Sequence, residues 1–187
     1  MPGVEARRLD AKIRAYILGP AASRTEDRFE LLALEIFAHQ YAHNRNYRRY
    51  CRAQGLVPGV VRTWRRIPAL PVAAFKEVAV RSFAAKDVRL RFRTSGTTSA
   101  GARRGTHDLD TDRLYRASLW QSFRRHVLSD GVMPDPMLLV PMPALKPDSS
   151  LSYMAGEVAR RMRRRARSYV DADHRVDEKA LLLQLRN

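Results

Sequence analysis

A chain of 187 residues is long enough to bury a core, and its 45% hydrophobic and 29% charged residues are those of an ordinary globular protein. No apolar run approaches the roughly 20 residues that cross a bilayer, the N-terminus lacks the basic start and apolar stretch of a secretory leader, and one cysteine, Cys51, excludes an internal disulfide. A cytoplasmic location is expected. The net charge of +16 comes from five lysines and thirty arginines, a surplus that attracts nucleic acid or anionic membrane. The arginines are spread along nearly the whole chain, so no specific nucleic-acid partner is expected.

Residues 1–24 read as an N-terminal extension and 25–187 as one domain. Thr25, followed by Glu26 and Asp27, predicts a helix start. Phe29, Leu32, Ala33, Ile36, Phe37 and Tyr41 then recur at helical spacing. The polar stretch from His43 to Arg52 continues or follows that helix. Prolines at 58, 68 and 71 oppose helix and predict an extended connection. From Asp87 to Arg93, Val88, Leu90 and Phe92 alternate with arginines, the pattern of a strand with one buried face. Arg104 to Asp108 returns as its hairpin partner. Asp110 or Thr111 caps a helix with Leu114, Tyr115, Leu119, Phe123 and Val127 on its apolar face.

Met137 to Val140, between Pro136 and Pro141, reads as a parallel strand covered on both faces. Ser149 or Ser150 caps the next helix, with a stripe of Leu151, Met154, Ala155, Val158, Ala159 and Met162. A short strand near Ser168 to Val170 and a last helix from Asp173 to Asp177 onward complete an α/β pattern. No buried strand follows that helix, so the domain reads as truncated at its C-terminal end.

Thr94-Ser95-Gly96-Thr97-Thr98-Ser99 sits where the hairpin turns. Hydroxyls and backbone N–H groups donate to an anion without bulk, and Gly96 and Gly101 let the backbone approach it. Arg103 and Arg104 add charge-assisted donors. Ser, Thr and Gly are equally the residues of a polar hairpin loop, and composition does not separate the two readings. The spacing of a Walker loop is missing.

The segment T-S-G-T-T resembles the phosphate-loop signature of the adenylate-forming superfamily, which includes acyl-CoA synthetases. Its surroundings narrow the resemblance: Ile67-Pro68-Ala69-Leu70-Pro71 with Phe75-Lys76 before it, then Pro141-Met142-Pro143 and Ser149-Ser150-Leu151-Ser152-Tyr153-Met154. In that order they look like the LuxE-type acyl-protein synthetases. The resemblance implies the N-terminal part of the large domain of an adenylate-forming enzyme. It implies ATP and Mg²⁺, and Thr94, Ser95, Gly96, Thr97, Thr98 and Ser99 with Arg103 and Arg104 as the cofactor-binding residues. The reaction implied is activation of a carboxylic acid, a fatty acid in that family, as an acyl-adenylate, followed by transfer to a thiol. An acyl carrier or a reductase is the implied protein partner.

The sequence departs from the family pattern at several points. Ser99 stands where the superfamily has glycine, and Arg103 and Arg104 stand in for a later lysine. The aromatic-Gly-x-Thr-Glu motif, the ribose-binding aspartate, the C-terminal lysine and the acyl-accepting cysteine have no counterpart in the 187 residues. A non-catalytic remnant is therefore the alternative reading. Among the remaining residues, Arg160 to Arg167 read as the solvated side of the Leu151 helix. His39 and His43, four apart, lack the third ligand of a metal site. Lys76 reads as a solvated surface side chain with phosphate contact as its alternative, and Cys51 as a buried or inert thiol.

Overall fold

A computed structural model describes residues 3–94, 103–163 and 166–186. Residues 1–118 and 119–187 form two units. In the first, helix α1 (Val4–Leu18) buries Leu9. Thr25 opens α2 (Glu26–His43): its hydroxyl accepts from Arg28 N, and Glu26 and Asp27 face the positive end of the helix dipole. Asn44 ends α2 and caps α3 (Arg45–Ala53), its side-chain oxygen accepting from Tyr47 N at 3.0 Å. The polar stretch after His43 is thus a separate helix whose inner face carries Tyr47 and Cys51, one turn apart. Those two close on Phe37 and Val61 to make the buried core, with Leu34, Tyr41, Tyr50, Leu56, Ile67 and Leu70 packed around it.

Three side chains of α3 hold the proline-punctuated connection. Tyr47 and Tyr50 hydroxyls donate to the carbonyls of Pro68 and Ala69, and Asn46 Nδ2 donates to Ala79 O. Between those anchors lies the one-turn helix α4 (Ala74–Glu77). Strand β1 (Leu90–Arg93) pairs antiparallel with β2 (Thr106–Leu109), Arg91 facing Asp108 and Phe92 facing His107. The strand is shorter than expected, because Ala85–Asp87 turns as a 3-10 segment. Phe92 is buried, with the Tyr115 ring of α5 (Arg113–His126) 5.4 Å away.

In the second unit Leu119, Trp120 and Phe123 of α5 pack around Leu128 with Val158 and Met162 of α6 (Ser150–Met162). Ser149 caps α6 by accepting from Ser152 N. Strand β3 (Met137–Leu138) pairs with β4 (Arg167–Ser168), and the pairing is parallel as expected. Cover on both faces is not found: Met137 and Leu139 are exposed and Leu138 half-buried, the alternation of a strand with one covered face. The α6 stripe is also rotated from expectation. Leu151 and Met154 are exposed, while Ser152 and Glu157 are buried. Glu157 is tolerated inside because Arg160 and Arg161 both donate to its carboxylate. Arg161 also lies over the Trp120 ring and Arg167 over Tyr169, so these members of the arginine run are not simply solvated. Gly156 lets α6 approach Pro143, whose Cγ would stand 2.5 Å from an added β-carbon. Asp177 caps α7 (Glu178–Leu185). Seven helices and two small sheets among the described residues are compatible with an α/β class.

Candidate functional site

The hairpin ladder continues one pair beyond its strands. Thr94 N donates to the Gly105 carbonyl at 3.0 Å, and Gly105 N donates to Thr94 Oγ1 at 3.0 Å. Arg104 Nε donates to the Thr94 carbonyl at 2.6 Å. Thr94 and Gly105 therefore close a neck at the base of segment 95–102. Since Thr94 Oγ1 accepts from the backbone, its own hydroxyl proton is left to donate elsewhere. Of the expected phosphate ligands, Thr94, Arg103 and Arg104 are placed at this neck; Ser95, Gly96, Thr97, Thr98 and Ser99 lie outside the described residues. Arg103 has Glu77 of α4 3.9 Å away, with both side chains at least 70% exposed, a contact of little energetic weight.

The hairpin is fixed at its other end by a charge cluster. The Asp108 carboxylate is 5% exposed and receives Arg91 Nε at 2.6 Å, Arg91 at a second oxygen at 3.2 Å, and Arg81 at 3.0 Å. The Arg91 hydrogen bond, then Arg81, holds this carboxyl below its ordinary pKa against the opposing effect of burial. Pairing of Arg91 with Asp108 follows from strand alternation once the register is known. Nothing in the sequence marks Arg81, which enters from the connection before β1. These partners make Asp108 the clasp of the hairpin.

Asp108 and His107 also border a cavity of about 1020 Å³ lined by α1, α2, the 67–84 connection and β2. His39 and His43 stand on its wall, ring centroids 4.5 Å apart. Burial first, then the His43 charge, lowers the pKa of His39, and burial followed by Asp110 raises that of Asp10 on the same wall. Among the described residues no group of three His, Cys, Asp or Glu side chains is placed to hold a metal ion.

Cys51 is fully buried in the core, and burial pushes its thiol pKa up. A thiol so placed has neither thiolate nor access. Iodoacetamide at mildly alkaline pH is expected to leave Cys51 unmodified in the native chain and to alkylate it in urea, read by intact mass. Rapid native alkylation would contradict the placement.

A family model described as acyl-protein synthetase, LuxE, matches residues 16–130, more than half of the chain. No curated protein and no solved structure matches. The matched segment carries the α2–α3 core, the proline-punctuated connection and the whole hairpin. The chain belongs to the LuxE acyl-protein synthetase family.

Proposed function

We propose that the chain binds ATP through Thr94, Ser95, Gly96, Thr97, Thr98 and Ser99, with Arg103 and Arg104, and serves the activation of a carboxylic acid as an acyl-adenylate. The observation that carries this reading is the closed Thr94–Gly105 neck at the base of the T-S-G-T-T segment, inside the stretch that matches the family. A carboxylate oxygen attacks the α-phosphorus of ATP, an oxygen–phosphorus bond forms, and the bond to the departing pyrophosphate breaks. The carboxylate, a poor electrophile, becomes a mixed anhydride with AMP as leaving group. A thiol then takes the acyl group and AMP departs; buried Cys51 is not that thiol.

Donors at the turn stabilise the charge gathering on the leaving pyrophosphate. Mg²⁺ is commonly held by substrate phosphates with few protein carboxylates. When bound it would neutralise the same oxygens. We place the reaction in the cytoplasm, with a fatty acid as substrate and an acyl carrier or reductase as protein partner. No described helix is long and apolar enough to cross a membrane.

The test is acid-dependent exchange of labelled pyrophosphate into ATP by the purified chain, over a panel of short- to long-chain acids. Exchange should appear only when an acid is present. Silence across the panel, with ATP still bound, would replace activation by a binding role alone.

A further inference from the structure

One cation beside the neck has no task in the reading above. Lys76, in the single turn of α4, has its Cγ 3.5 Å from the point where a β-carbon on Gly105 would stand. The same point is 3.2 Å from Thr94 Cγ2 and 3.4 Å from the Phe75 carbonyl. Helix α4 therefore packs directly on the neck, and the close approach is open because residue 105 is glycine. Lys76 is half-buried, and no ion pair or side-chain hydrogen bond ties it to another described residue. Its neighbours are differently engaged: Arg104 Nε is spent on the Thr94 carbonyl, and Arg103 lies in solvent near Glu77.

We propose that Lys76 is a phosphate-binding residue, its ammonium meeting the terminal phosphates of ATP beside Thr94. This rests on the ATP reading above and adds a residue to it from a different element. Lysine suits the task as a compact charge on a flexible stem, whose reach adapts to a phosphate that must leave after reaction. A half-buried position strengthens the attraction relative to a fully solvated one. The anchors from α3 to Pro68, Ala69 and Ala79 bracket α4 and fix where that stem begins.

Calorimetric titration of the full chain with MgATP and with inorganic pyrophosphate tests the assignment. Lys76→Met should weaken both by about tenfold or more, the scale of a lost charge-assisted hydrogen bond. Lys76→Arg should recover most of that loss. Lys179→Met, an exposed lysine on α7, should match the wild type, and thermal midpoints should agree throughout. Unchanged binding by Lys76→Met overturns the proposal. So does an equal loss in Lys179→Met, which would reduce the effect to net charge. A lowered midpoint with no recovery by arginine would assign Lys76 to packing instead. A wild-type chain that binds neither probe overturns the ATP reading itself, and this inference with it.

Discussion

Replacing Asp108 with asparagine should cost the 1–118 unit about 2–3 kcal/mol at neutral pH. The carboxylate is nearly sealed from solvent and accepts from two guanidinium groups. Asparagine keeps the size but offers one carbonyl acceptor and two N–H donors, which face donors already present. The loss is placed below the largest found for buried pairs because Arg91 is 45% and Arg81 23% exposed, so both can regain water. Neither arginine can be freed from the other's charge, however, once the carboxylate is gone.

The same group makes the stability of the hairpin depend on pH. Arg91 and Arg81 lower the folded pKa of Asp108 below the unfolded value, about 3.9 for an aspartate. Between those two values the unfolded chain holds more protons than the folded one, so stability rises with pH there. The contribution is fully present above about pH 4 and is lost as pH falls through the folded pKa. Urea melts of wild type and Asp108→Asn should therefore differ most at neutral pH and converge in acid. A gap that stays constant down the acid limb would show that the carboxylate charge is not what holds the hairpin. Asp108 also fixes the strand register that leads to Thr94, so the variant should bind MgATP more weakly even where it remains folded.

Local rules made most of the elements legible. Thr25 and Ser149 cap the helices they were expected to open, and Asp177 caps the helix expected to start between Asp173 and Asp177, since a hydroxyl or carboxylate reaching back to a free N–H is a short-range event. Of the strand expected from alternation over Asp87 to Arg93, Leu90 to Arg93 form, and they pair with the return strand as a hairpin. What escaped depends on contacts between distant residues. Glu157 is buried at a position that reads as polar surface, because two arginines on its own helix neutralise it. Arg81, 27 residues from Asp108, has no periodicity to reveal it. T-S-G-T-T is legible as chemistry alone, since of its five residues only Thr94 lies among the described ones. That α4 abuts the neck depends on a glycine at 105, which sequence alone leaves as one more loop residue.

Phe37→Ala is expected to be the most damaging single change, at about 3–5 kcal/mol. The ring is 1% exposed and meets Tyr47 and Tyr41 edge-on, with centroids 6.1 and 6.3 Å away. Removing it leaves a void bounded by α2 and α3, which their capped termini prevent from collapsing freely. Leu31→Ala on the same helix, 70% exposed, should stay within about 0.5 kcal/mol. Chemical denaturation of both variants decides the matter; a Phe37→Ala loss below about 1 kcal/mol would mean that the core is not centred there. The consequence reaches the neck through Tyr47, whose ring packs on Phe37 while its hydroxyl holds Pro68 on the way to α4. Loosening that ring should move the start of the Lys76 stem. Phe37→Ala should thus lose stability and phosphate affinity together, whereas Lys76→Met should lose affinity alone. That separation distinguishes a residue that builds the platform from one that meets the ligand.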